Sequence, residues 1–447
     1  MKKILIAGLD ADTFGIGFQG QLLHRNRFDM QRFKSFTSGH AILVGHKTFQ
    51  GMGELKSRFN IVVSKSKTYS SDTCVFVDSI EKGELLAQEK GYSQLWIIGG
   101  SFIYKHYIST KSYDQMELTF FPSKPLPIDT FFPRFDWSEH RVVGQVVDGV
   151  DYKTLVRIQN LAEEKYICLL RNILESGSFE SGRNANTYSI FGQSLTFDLQ
   201  EGFPLLTTKR VWFKGVFEEL LWFLGNSIDV KILREKGVHI WDGNTTREFL
   251  DKNHLNQYQE YEAGPIYGFQ WRHWNAEYKG LDHDYSGEGI DQIADCIKMI
   301  KEDPYSRRIL FTGWNPEQLS QMALPPCHVL YQFNVSQGKY LDCQMYQRSA
   351  DVFLGVPFNI ASVALLTTFV AHQTSLLPGK ITCCFGNVHI YEQHLEAVKE
   401  QITRIPGKFP TLEIRGNVPK DIREYELKNV KVVNYNPQAT IKAAMIA

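Results

Sequence analysis

Hydrophobic and polar positions change rhythm once along the chain. Over the first 160 residues, short β-branched-rich apolar runs are bounded by turn residues: Ile4–Leu9, Ala41–Val44, Asn60–Val63, Cys74–Val77 and Leu95–Ile98. Helical patterns such as Asp29–Phe36 and Ile80–Glu89 lie between them. Strands alternating with helices predict an α/β domain with a mostly parallel central sheet, covered on both faces. Asp114–Phe121 and Tyr152–Ile158 read as antiparallel strands closing its edge. After Asn160 the elements cluster instead of alternating. Glu163–Ser176 reads as helical, and Phe217–Leu224 and Ile290–Lys301 as amphipathic helices. Val329–Val335 and Lys339–Tyr346 read as strands joined by the Gln337-Gly338 turn. That half is expected to be α+β. The division falls at 1–160 and 161–447, with a short junction near residues 159–164.

Two apolar stretches imitate other things. Ile4–Leu9 follows Met1-Lys2-Lys3 as a secretory leader would, but Asp10 and Asp12 cut it short, and a first strand is the better reading. The stretch Val352–Ala371 carries no charge and is long enough for a membrane span. Gly355, Pro357 and Asn359 interrupt its start, so a buried helix from about Ile360 is expected and no membrane. With 49 basic and 49 acidic side chains among 447 residues, the chain has no global electrostatic footprint for nucleic acid. Seven cysteines, an odd number without C-x-x-C spacing, argue against a disulfide framework or zinc ribbon. A reducing, cytoplasmic location is expected.

The densest chemistry lies between Pro325 and Asn359. Pro325-Pro326-Cys327-His328 is followed by Gln347-Arg348-Ser349-Ala350-Asp351 and by Gly355-Val356-Pro357-Phe358-Asn359. A lone cysteine is ordinarily a small buried hydrophobe. Arg348 and the pair Arg307-Arg308 change that reading, because guanidinium groups favour the reactive thiolate and match phosphate oxygens. His389 and His394 are poorly spaced as metal ligands, and no metal is expected.

These motifs, with Phe203-Pro204-Leu205-Leu206-Thr207-Thr208-Lys209-Arg210, Glu219–Leu224, Gly264–Gly268 and His389-Ile390-Tyr391, resemble the thymidylate synthase family over 163–447. The resemblance implies reductive methylation of dUMP with 5,10-methylenetetrahydrofolate, in a homodimer formed through this domain. It implies that Cys327 adds to C6 of uracil and that Glu219 serves the proton transfers. Arg183, Arg348 and Ser349 would hold the 5′-phosphate, with Arg307 and Arg308 donated by the partner subunit. Gln347 and Asn359 would contact the nucleotide, Asn359 at the uracil edge, and His389 and Tyr391 would reach the ribose. Asp351 would contact nucleotide and pterin. Trp241, Tyr267 and Gly355 would line the cavity, and Lys209 would meet the folate glutamate. The sequence departs from the family at Arg183-Asn184-Ala185-Asn186-Thr187, where many members carry a Gly/Thr-rich loop.

In the first half, Asp29 opens an apolar-striped helix and could be a helix cap. Gly99-Gly100 follows the strand Leu95–Ile98 and precedes a helix, Phe102–Tyr107, where a phosphate can approach backbone N–H groups. Together with Gly15-Ile16-Gly17, Val44–Phe49 and Leu118-Thr119, these residues resemble the dihydrofolate reductase family over 1–160. The implied reaction is hydride transfer from NADPH to dihydrofolate. Asp29, supported by Thr119, would bind the pterin, Phe33 would contact the folate, and Arg58 would bind its glutamate. Gly45, Lys47, Thr48, Ser64, Lys65, Ile98, Gly99, Gly100 and Tyr104 would hold the cofactor. Leu23-His24 stands where most of that family carries Pro-Trp, so altered folate affinity is expected.

The two reactions fit together, since thymidylate synthesis releases dihydrofolate and a reductase restores the tetrahydro form. One rival is a pyrimidine hydroxymethylase, which Asn359 and the attached reductase disfavour. Another is an active synthase carrying an idle folate-binding or structural N-terminal domain.

Overall fold

The computed structural model describes residues 1–182 and 185–446. It divides into two compact units, Met1–Ile158 and Gln159–Ala447.

The first unit is built on an eight-stranded sheet. From one edge to the other its strands are His140–Val147, Val150–Arg157, Gln115–Phe121, Lys2–Asp10, Gln94–Gly99, Ala41–Gly45, Phe59–Val63 and Cys74–Val77. Neighbours from Gln115–Phe121 to Cys74–Val77 are all parallel. Only the two junctions of Val150–Arg157 are antiparallel. One edge expectation is therefore corrected: Gln115–Phe121 runs parallel to the first strand, and the added edge strand is His140–Val147. That strand leaves Val142, Val143 and Val146 exposed, so its sequence lacks the in–out alternation that marks a half-buried strand. Separate apolar clusters fill the two faces, one around Leu5, Leu43 and Ile97, the other around Ile4, Ile42 and Val44. Alternate residues of the same strands supply them, as the two-residue period requires.

The helix Arg27–Thr37 starts from Asn26, whose side-chain oxygen accepts from the Phe28 and Asp29 N–H groups at 2.8 and 3.1 Å. The capping task belongs to Asn26, and the Asp29 carboxylate is left for other partners.

The second unit carries a six-stranded mixed sheet in the order Ser178–Ser181, Asn186–Asp198, Leu377–Tyr391, Tyr340–Asp351, His328–Ser336, Leu310–Thr312. The Gln337-Gly338 turn is present, with φ of +52° and +62°, the pairing a tight two-residue hairpin favours. The strand Tyr340–Asp351 runs further than the sequence pattern indicates, so Gln347, Arg348, Ser349 and Asp351 all lie on it. The apolar helix spans Gly355–Gln373 and starts earlier than expected. Pro357 sits in its first turn, where a missing N–H breaks no helical bond. Asp351 accepts from the Phe353 and Leu354 N–H groups just ahead of it, at 3.0 and 3.2 Å. This helix is long and apolar enough to cross a membrane, but it packs on Tyr340–Asp351, Leu377–Tyr391 and the helix Phe213–Leu224. Being hydrophobic all round is what a central helix of a large core requires.

Candidate active sites

In the first unit a cavity of about 1330 Å³ is lined by Asp29, Phe33, Gly45, Lys47, Thr48, Ser64, Lys65, Ile98, Gly99, Gly100 and Tyr104. Every residue expected to hold the cofactor therefore lines one hollow. Asp29 faces it from the helix, and Thr119 donates its hydroxyl to the Asp29 carboxylate at 2.5 Å. Burial pushes the Asp29 carboxyl up, opposed by Thr119 and by Arg32. Gly100 caps the helix Ser101–Thr110 without any side-chain bond to its N-terminus, so the first N–H groups are free to meet an anion. A Cβ on Gly100 would come within 2.7 Å of the Thr48 hydroxyl, which explains the glycine. Bare backbone, a hydroxyl and the exposed cations Lys47 and Lys65 form a donor set that fits a phosphorylated dinucleotide. Tyr104 is spent on the fold, donating to the Ile6 carbonyl at 2.7 Å.

Arg58 lies outside the main hollow. It lines an adjoining one of about 410 Å³ with Arg27, Phe33, Lys34 and Leu55. Its guanidinium sits 5.7 Å from the Phe33 ring and donates to Thr37 Oγ1 at 2.8 Å. His24 stacks on Phe121 with ring centroids 4.7 Å apart, and its Nε2 lies 3.8 Å from Asp10.

In the second unit Cys327 ends the segment entering the strand His328–Ser336, beside a register shift between His328 and Leu330. Its backbone N–H donates to the Tyr267 hydroxyl at 2.7 Å. Arg348 is locked over it: Nε and Nη2 donate to the Pro326 and Pro325 carbonyls at 2.9 and 2.8 Å, and its N–H donates to the Cys327 carbonyl. Burial raises the Cys327 thiol, while the Arg348 charge and Tyr267 pull the other way. The expected arginine effect is present, but desolvation outweighs it.

Glu219 stands on the helix Phe213–Leu224 and accepts from Trp241 Nε1 at 2.8 Å. Trp241 in turn packs on Trp222, Phe223 and Tyr267. In this apolar setting the Glu219 carboxyl is pushed up to about 7. Gln347 donates to Asn359 Oδ1 at 3.0 Å and to the Ser349 carbonyl at 2.9 Å. These bonds fix the Asn359 amide from one side. His328, whose Nε2 is buried without a partner, faces the same amide and is held neutral by burial, its pKa lowered to about 4. His389 lies in register with Asp351 on the neighbouring strand and contacts the Asn387 side chain at 2.8 Å. Its ring meets that of Tyr391 at 5.1 Å. Gly355 brings backbone close to both Asn359 and Asp351, where a Cβ would sit 3.6 Å from each.

Some expected residues are not gathered here. Lys209 is buried, donating to the Phe353 carbonyl with its ammonium 3.5 Å from that ring's centroid. Arg307 and Arg308 are exposed just before the edge strand Leu310–Thr312. Arg183 lies outside the described residues. Sequence reasoning missed the role of Asn26 and passed over Arg32 and Glu117, which pair across helix and strand. Glu117, the one charged residue in the mostly apolar run Met116–Phe121, was the available signal. Among the described residues no group of three or more His, Cys, Asp or Glu side chains could hold a metal ion.

Comparison with known proteins separates the same two parts. A profile of the dihydrofolate reductase family matches residues 4–163, and one of the thymidylate synthase family matches residues 164–447. Over its length the chain is similar to the bifunctional dihydrofolate reductase-thymidylate synthase of Paramecium tetraurelia, 41% identical across 96% of each chain. The counterpart from Glycine max is 36% identical, across 96% of this chain and 92% of that one. The second part alone is similar to the thymidylate synthase of Herpesvirus ateles, 49% identical over 64% of this chain and 98% of that one. With both profiles matched in order and whole-length relatives above 30% identity, the chain belongs to the family of bifunctional dihydrofolate reductase–thymidylate synthases.

Proposed function

We propose that two consecutive reactions run on this chain, each in its own unit. The second unit makes dTMP from dUMP and 5,10-methylenetetrahydrofolate. The first unit reduces the dihydrofolate so formed, with NADPH supplying the hydride when bound. Family membership supports both activities and disfavours an idle first unit.

Within the synthase, the observation that carries the reading is a buried Cys327 within the influence of an anchored Arg348, with Tyr267 feeling both that thiol and the Glu219 carboxyl. Cys327 is the nucleophile that adds to C6 of the uracil ring, which makes C5 nucleophilic toward the one-carbon unit. Arg348, held by two carbonyls, aims its charge at the thiol and at the phosphate side, with Ser349 beside it. Glu219, close to half-protonated at neutral pH, is suited to relay protons in both directions. Asn359, oriented by Gln347, reads the base edge, and His389 with Tyr391 meets the ribose. In the reductase, Asp29 anchors the pterin, and Gly45, Thr48, Ser64, Gly99 and Gly100 with Lys47 and Lys65 hold the cofactor. Arg58 takes the glutamate of the folate. Lys209 as a folate contact requires its ammonium to leave the Phe353 carbonyl.

The working form is a homodimer in which Arg307 and Arg308 serve the partner's phosphate site; their exposure supports this. The seven cysteines, all free, support a reducing, cytoplasmic setting. The test uses the full chain. Cys327→Ser is expected to lose thymidylate formation while keeping NADPH-dependent dihydrofolate reduction. Mixing it with an Arg307→Ala chain should restore part of the synthase activity, because a mixed dimer has one complete site. No recovery after verified subunit exchange would place those arginines outside the partner's site.

A further inference from the structure

Behind the Asp29–Thr119 pair lies an ion pair that neither reaction has yet used. Glu117 and Thr119 are two apart on the strand Gln115–Phe121 and so share a face. Glu117 is only 3% exposed and accepts from the Thr154 hydroxyl at 2.9 Å and from the Gln115 amide. Arg32 stands one turn beyond Asp29 on the helix Arg27–Thr37, on the same side. One of its terminal nitrogens is ion-paired to Glu117, and the other reaches Thr119 Oγ1 at 3.4 Å. The guanidinium is flanked by the Phe36 and Tyr152 rings, at 4.9 and 5.5 Å from their centroids. Glu117, Arg32, Thr119 and Asp29 thus form one continuous chain of contacts from helix to strand.

Donor chemistry gives this chain a direction. Guanidinium can only donate, so Thr119 accepts from Arg32 and its own proton points at Asp29. A carboxyl receiving that proton is favoured in its ionised form.

We propose that Arg32, clamped by Glu117, is a positioning residue of the reductase: it keeps the Thr119 hydroxyl aimed at Asp29 and sets how readily that carboxyl takes up a proton. The proposal rests on Asp29 being the group that faces the pterin. Burial drives the Asp29 carboxyl up, and Thr119 and Arg32 are what oppose it. The titratable groups facing the network are Asp29 and Arg32 from the helix, Glu117 from its strand and Tyr152 from the next strand. Asp148, in the hairpin turn, acts on Tyr152 through space. Tyr152 stays neutral across the working range, its hydroxyl being shifted upward by burial. Glu117 and Arg32 are therefore the levers.

The experiment measures NADPH oxidation against pH with the full chain and saturating dihydrofolate. Arg32→Met removes the cation and should move the midpoint alkaline by about one pH unit. Glu117→Gln leaves the cation without its counter-charge and should move the midpoint the opposite way. Arg32→Lys keeps the charge but not the fork, so turnover should fall while the midpoint stays near that of the unmodified chain. Thymidylate formation by the same preparations shows that the second unit is intact. A purely structural ion pair would lower stability in both charge-removing variants without shifting the midpoints in opposite directions, and that result would overturn the proposal. Should Arg32→Met fail to accumulate, Glu117→Gln and Arg32→Lys decide alone: an unmoved midpoint in the first overturns it. Asp29→Asn separates the levels. A pH profile that survives this change sinks the role of Asp29 itself, whereas one that vanishes with it but ignores Arg32 and Glu117 sinks only the positioning role.

Discussion

Asp29 in the first unit and Glu219 in the second are both carboxyls pushed above their ordinary range by burial, yet their surroundings differ. Asp29 has a hydroxyl donor and a cation one helical turn away. Glu219 has the Trp241 indole N–H, and among the described residues no charge opposes its burial. Its chain neighbour Glu218 turns the other way and pairs with Lys236 at 2.7 Å. An apolar aromatic wall alone therefore produces a proton reservoir near neutrality. A wall combined with a hydroxyl donor and a cation holds back part of that upward push on Asp29. Two units of one chain obtain two kinds of acid from the same functional group.

The sharpest way to break this contrast is Asp29→Asn. Reductase turnover near neutral pH should fall by about 100-fold or more, with partial recovery in acid, where dihydrofolate can arrive already protonated. Thymidylate formation should be unchanged. Superimposable pH–rate profiles for the two proteins would erase the distinction between the carboxyls.

A smaller effect is expected at Trp241→Phe. Losing the donor to Glu219 removes what lowers its pKa, so the midpoint of synthase activity that reports Glu219 should rise by about one pH unit. A downward shift, or none, would mean that the indole does not stabilise the ionised form.

Lys209 extends the comparison to a buried cation. Its pKa is lowered to about 7, chiefly by burial, with Asp351 opposing through space. The charged form is disfavoured in the fold, so the stability linked to Lys209 is present above the ordinary lysine range and is lost as pH falls toward 7. Lys209→Met should thus stabilise the second unit below pH 7, by about 1–3 kcal/mol, with the gain shrinking as pH rises above 7. Denaturant titrations at acid and alkaline pH read this directly. A gain that grows with pH would reverse the sign of the argument.

Much of this arrangement is legible in residue order, and the misses have physical causes. The parallel sheet follows from apolar runs alternating with helical patterns, because a strand buried on both faces needs no polar residues. The outer strand His140–Val147 escapes that rule, since an edge strand with exposed valines has neither a buried run nor an alternation. The early start of the helix Gly355–Gln373 escapes because Gly355 and Pro357 read as breakers, whereas a first turn tolerates both. Motifs place Cys327, Arg348 and Asn359 on one segment, but spacing cannot reveal that burial outweighs Arg348 at the thiol. Nor can it reveal that Lys209 points into a carbonyl, or that Glu117 and Arg32 meet across 85 residues of chain. Such pairings are made by the sheet, not by neighbours in sequence.

The cap at Asn26 has a bearing on how this protein tolerates change. Because the Asn26 side chain takes two of the N–H groups at the start of the helix, the cap makes no demand on the Asp29 side chain. A change at position 29 therefore leaves the cap in place and is felt where the carboxylate meets the Thr119 hydroxyl and the cavity. Variation at position 26 is filtered by folding instead, at about 1 kcal/mol for loss of the cap. Substitution can therefore retune the environment of the Asp29 carboxyl without first having to rescue the cap of the helix that carries it.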